Sequence, residues 1–156
     1  MLQRLQTLYF LIAAILCVVP MFGGTLFTFV QGKTILEMSV YQVVDLGVSM
    51  SVKNDSWVLL VIVVALLFAT IFSFKQQKRQ LTFALLCFVL HVITVGWMLF
   101  GIYIIKTSCT SCTEPTKLQG IGMPFFVFVA AAIFIFMGIK GVRKDKKLLD
   151  SLNRLR

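Results

Sequence analysis

Apolar residues run through this chain in four long blocks, Thr7–Phe29, Trp57–Phe74, Leu81–Ile105 and Pro124–Val142, and polar residues gather in the gaps between them. A helix needs ~20 apolar residues to cross a hydrocarbon layer. The blocks are apolar on every side, whereas a soluble helix keeps a polar face. The pattern therefore predicts an all-α membrane protein. It would be an antiparallel four-transmembrane-helix bundle forming a single domain over residues 1–156, with a basic tail at 143–156.

Within this frame, local signals differ. Pro20 and Gly23-Gly24 fall in the outer half of the first block and predict a kink or an early helix end. The longest gap is Val30–Ser56. In it Leu46, Val48, Met50 and Val52 alternate with Asp45, Gly47, Ser49 and Ser51, the period of a strand with one buried face. Leu36, Met38 and Val40 alternate less cleanly. Leu36, Val40, Val43 and Val44 would also fit one helix face. The expectation is a small extracytoplasmic β-hairpin, with an amphipathic surface helix as the alternative. Asn54-Asp55-Ser56 supplies a turn and cap before Trp57, itself suited to a membrane interface. Ala65, Ala69 and Ser73 place small residues on one face, which favours close helix packing. The gap from Lys75 to Gln80 permits only an antiparallel helical hairpin.

Composition agrees with this picture. The 156 residues are 59% hydrophobic and the mean hydropathy is +0.95, against ~45–50% apolar residues in soluble domains. The formal charge of +9 would suggest nucleic acid in a soluble protein. Here its distribution points to orientation instead. Arg4, Lys75, Lys78, Arg79 and the tail cations Lys140, Arg143, Lys144, Lys146, Lys147, Arg154 and Arg156 fall on one predicted side. Only Lys33, Lys53, Lys106 and Lys117 fall on the other. Positive residues stay cytoplasmic, so both termini are predicted there. The first block lacks a small-x-small cleavage site and is expected to be a retained helix.

The candidate chemistry is sparse. Cys109-Thr110-Ser111-Cys112, predicted outside the cytoplasm, could form a local disulfide or stay unpaired, exchange as a redox pair, or supply half a metal site. No basic residue directly flanks the pair to lower a thiol pKa. Cys17 and Cys87 read as small buried hydrophobes. His91, the single histidine, lies inside the third block, where an ionisable residue marks either function or a hydrogen bond to a neighbouring helix. The tail sets Leu148, Leu149, Leu152 and Leu155 against its cations, a pattern for a cytoplasmic amphipathic helix on anionic lipid head groups or a membrane-protein partner. There is no paired-carboxylate site, nucleophile–base pair, phosphate loop or full metal set, and nothing calls for a cofactor.

The opening Met1-Leu2-Gln3-Arg4-Leu5-Gln6-Thr7-Leu8-Tyr9, the basic turn Lys75 to Gln80 and the closing Arg143-Lys144-Asp145-Lys146-Lys147-Leu148-Leu149 with Asn153-Arg154-Leu155-Arg156 resemble an uncharacterised bacterial membrane family, domain of unknown function 4293. Where that family usually has an acidic residue in its closing motif, this chain has Lys146. The resemblance implies a four-span bacterial inner-membrane protein, supplies no reaction and carries over no functional residue. Gln3 and Gln6 flank Arg4, and a polar cluster joining them to Arg154 and Arg156 of the tail is a further expectation. The layout is also similar to claudin-like proteins, without the tryptophan and cysteine signature of their first outer loop. The leading expectation is a non-enzymatic accessory or scaffold protein that touches the lipid bilayer and a membrane-protein partner, but no nucleic acid. The alternatives are thiol–disulfide exchange at Cys109 and Cys112 and a small transporter or channel involving His91.

Overall fold

The computed structural model describes residues 2–45, 50–108 and 116–154. Helix α1 (Leu2–Val18) runs into a 3-10 turn, Val19–Phe22. Strands β1 (Phe27–Gln31), β2 (Thr34–Met38), β3 (Gln42–Asp45) and β4 (Met50–Lys53) follow. Then come α2 (Ser56–Phe72), a 3-10 turn at Ser73–Lys75, α3 (Gln77–Ser108), β5 (Lys117–Ile121) and α4 (Met123–Arg154).

This corrects the all-α, four-transmembrane-helix expectation. The five strands form one antiparallel sheet in the order β4-β3-β2-β1-β5. In place of the expected hairpin, the sheet takes β1 from the end of the first block, one strand from the third gap and three from the first. The helical alternative for that gap does not occur. Among the described residues, three helical stretches are long and apolar enough to cross a membrane: Leu5–Phe22, Gln77–Thr107 and Met123–Leu148. Helix α2, at 17 residues, is a shorter apolar helix. The separate amphipathic tail helix is also absent, because α4 runs unbroken from Met123 to Arg154. Beyond Gly141 that stretch has no Gly or Pro and is rich in Lys, Arg and Leu, all good helix formers.

The first apolar block splits for a local reason. Pro20 sits in the 3-10 turn, and Gly23 adopts φ 89°, which ends helical progress. The Phe, Thr and Val residues that follow suit a pleated surface. Phe27 and Phe29 are buried and Thr28 and Val30 half-buried, so β1 points its aromatic side inward. Gly32, at φ 58°, begins the two-residue loop to β2.

The helices pack side by side, α1 against α4 and α2, and α3 against α2 and α4. Each offers one narrow buried stripe at helical spacing. In α2 it is Ser56, Leu60, Val63, Leu67 and Thr70. In α3 it is Gln80, Ala84, Cys87, His91, Thr94 and Met98. The outward faces are apolar along their middle, with Leu86, Val89, Val92, Ile93, Trp97 and Phe100 exposed on α3. Between Ala84 and Met98 the polar His91 and Thr94 of α3 therefore point in while large apolar side chains point out, the reverse of a water-soluble helix.

The sheet is fixed to one end of this layer. Phe27 packs on Phe125 at the start of α4, with ring centroids 4.9 Å apart. Tyr41 Oη donates to the Met21 carbonyl at 2.8 Å. Gly122 N–H donates to the Leu26 carbonyl at 2.8 Å, and a Cβ on Gly122 would lie 1.8 Å from the Thr25 carbonyl oxygen. Only glycine allows the chain to pass β1 so closely as it enters α4.

Candidate functional site

The interior stripes bring polar side chains together at two depths. Near the middle, Cys17 from α1 and His91 from α3 meet, Sγ to Nδ1, at 3.8 Å. The His91 ring lies on Phe128 of α4 with centroids 4.3 Å apart. Cys87, one turn before His91, donates its S–H to the Val63 carbonyl of α2 at 3.7 Å. Thr94 Oγ1 turns back to the Leu90 carbonyl at 2.8 Å. His91 is fully buried, and its Nε2 has no hydrogen-bond partner among the described residues.

His91, on α3, thus contacts α1 through Cys17 and α4 through Phe128. Among the described residues no carboxylate or cation accompanies it, so the cluster offers two thiols and one imidazole rather than a chain of proton stations. Among the described residues no group of three or more His, Cys, Asp or Glu could hold a metal ion.

The second depth lies toward the chain termini. Gln6 Nε2 donates to Asp145 Oδ2 between α1 and α4, and both residues are buried. Asp145 Oδ1 has no hydrogen-bond partner among the described residues. The helices approach closely here. A Cβ on Gly141 would meet Gln6 Cγ at 2.7 Å, and one on Gly138 would meet Phe10 Cε1 at 2.6 Å. Of the polar cluster expected around Arg4, only the Gln6 side chain is among those described, and it pairs with Asp145; the side chains of Gln3, Arg4, Arg154 and Arg156 lie outside them. Reading charge by count hid Asp145, which stands between Lys144 and Lys146. The missed signal was periodic: Phe128, Ala131, Ile135, Ile139, Val142 and Asp145 form one buried stripe.

The other predicted site residues divide. Arg143, Lys144 and Lys147 are exposed on α4, and Lys146 is half-buried. Arg154 belongs to the last turn of α4. Arg156 and the Cys109 and Cys112 pair lie outside the described residues. In the tail Leu148 is exposed. The exposed Lys78 and Arg79, at the start of α3, share this end of the helix layer with the α4 cations.

A family model described as Domain of unknown function (DUF4293) matches residues 2–155. No curated protein matches the chain.

Proposed function

We propose that this chain, which belongs to the DUF4293 family, is a non-enzymatic accessory or scaffold protein of the bacterial inner membrane. Its helices lie in the bilayer, its sheet stands on the outer side and both termini are cytoplasmic. The observation that carries the reading is the polarity of the molecule. The helices turn apolar faces outward, a five-stranded sheet covers one end, and the opposite end carries Lys78, Arg79, Lys140, Arg143, Lys144 and Lys147. Lysine and arginine concentrate on the cytoplasmic side of membrane proteins. Open sheet edges cannot rest in hydrocarbon, so the sheet belongs in water.

A sheet anchored this way is a platform. Ile35 and Ile121 are exposed on it, and β4 and β5 are its two edge strands. Edge strands left open recruit further strands, which suits binding a partner better than turning over a substrate.

Two measurements test the proposal. In a variant without native cysteines, Lys33→Cys should react with a membrane-impermeant maleimide in intact cells, and Lys147→Cys should react only after lysis. Reaction of Lys147→Cys from outside would reverse the orientation. For the scaffold role, a photo-crosslinking residue at Ile35 or at Gln119 should capture the same protein, and one at Val129 on the outward face of α4 should not. Absence of any adduct at both sheet positions, with the chain purifying alone from mild detergent, would refute it.

A further inference from the structure

The basic end of the helix layer holds a pocket that the scaffold reading leaves unused. Helix α2 stops at Phe72, and its cap residue Ser73 returns its N–H to the Ala69 carbonyl. One 3-10 turn leads to Gln76, whose carbonyl accepts the Gln80 N–H at 2.9 Å as α3 begins. Beside this turn lies a cavity of about 380 Å³ lined by Phe72, Ser73, Gln76, Arg79 and Phe83.

Its wall is sorted by polarity. Phe72 and Phe83 supply an aromatic side, and Phe72 is 75% exposed. Ser73, Gln76 and Arg79 supply a hydroxyl, an amide and a guanidinium. The first turn of α3 contains no acidic residue to neutralise Lys78 and Arg79. The free N–H groups of a helix's first turn add to the positive potential. A guanidinium matches a phosphate bidentately. Basic pockets at the cytoplasmic ends of membrane helices bind anionic head groups. Free phosphate would leave Phe72 and Phe83 uncovered, and a zwitterionic head group would bring its ammonium beside Arg79.

We propose that this pocket binds one anionic phospholipid, its phosphate on Arg79 with Ser73 and Gln76 donating hydrogen bonds, and its chains starting over Phe72 and Phe83. The proposal rests on the reading that this end of the helix layer meets an anionic leaflet.

The test is native mass spectrometry of the full chain released from nanodiscs of mixed phosphatidylglycerol and phosphatidylethanolamine. One retained phosphatidylglycerol per chain is expected, undisturbed by millimolar inorganic phosphate. Arg79→Gln should lower retention at least fivefold. Ser73→Trp, which keeps the charge and fills the cavity, should do the same. Lys144→Gln removes one charge elsewhere at the same end and should leave retention within twofold. Gln76→Glu, at an exposed position, is the second variant should Ser73→Trp misfold, and its added anion should expel the lipid. Equal loss in Arg79→Gln and Lys144→Gln would reduce the effect to diffuse charge. Full retention in a folded Ser73→Trp or in Gln76→Glu, equal retention of phosphatidylethanolamine, or displacement by phosphate would each overturn the pocket. Nanodiscs expose both leaflets alike, so a reversed orientation in the maleimide experiment would leave this result unchanged and the two failures separable.

Discussion

Gln6 and Asp145 are each costly to bury alone, and each makes the other tolerable. A buried carboxylate that loses its donor pays the desolvation cost of the bond, about 1–3 kcal/mol. Gln6→Leu should therefore destabilise the chain by about that amount in a detergent unfolding titration. Adding Asp145→Leu should recover much of the loss, because replacing both partners by apolar groups is often near neutral. A double variant less stable than Gln6→Leu would mean that Asp145 has a further partner. His91 presents the reverse case. One nitrogen faces Cys17 and the other has no partner among the described residues, so the ring acts chiefly as a packed aromatic body against Phe128. His91→Phe is expected to change stability by less than ~1.5 kcal/mol, the usual cost of a volume-conserving core exchange. A fully stable His91→Phe protein with a growth or transport defect would instead assign the imidazole a function.

At the scale of elements, the chain advertised its helices and concealed its strands. The apolar blocks were long enough to read, but hydropathy carries no mark where a helix turns into a strand. Phe27–Phe29, the first three residues of β1, continue an apolar run and fall within the first block. The glycine at φ 89° that separates α1 from β1 is visible as a kink or an early helix end, but not as the approach to a strand. The alternation from Asp45 to Val52 has the period of one strand, whereas Asp45 ends β3 and Met50 begins β4, antiparallel partners with Val43 facing Val52 and Val44 facing Ser51. Strand β5 gave almost no signal, since its five residues include Lys117, Gln119 and Gly120. Inner and outer helix faces were equally illegible, because both are apolar. Leu67 is fully buried and Leu86 is 53% exposed. Leu67→Ala should cost about 2–5 kcal/mol, and Leu86→Ala, on the outward face, well under half of that in the same titration. At the junction of sheet and α4, Gly122→Ala sets a methyl against a backbone oxygen that no rotamer change can move. It should cost at least the ~1–3 kcal/mol of core overpacking, and impermeant labelling at Lys33→Cys should then spread to neighbouring sheet positions.

For the molecule as a whole, the two ends are chemically opposed: the sheet at one, and a cluster of lysine and arginine around a polar α1–α4 contact at the other. That opposition was readable in outline, since the spacing of the cations along the chain already divided it. The way the halves are tied together was not. Strand β1 pairs with β2 beside it in sequence and with β5 from just before α4, Phe27 facing Ile121. The outer edge of β1 is therefore covered by a segment that leaves the ribosome only after α3. A nascent chain halted before Lys117 holds the first four strands with one side of β1 bare, and such an edge invites pairing with the wrong neighbour. Completion of the sheet then reports that the segment leading into α4 has arrived. A membrane protease that recognises the bare side of β1 would spare the finished chain, where β5 covers it, and remove the truncated one.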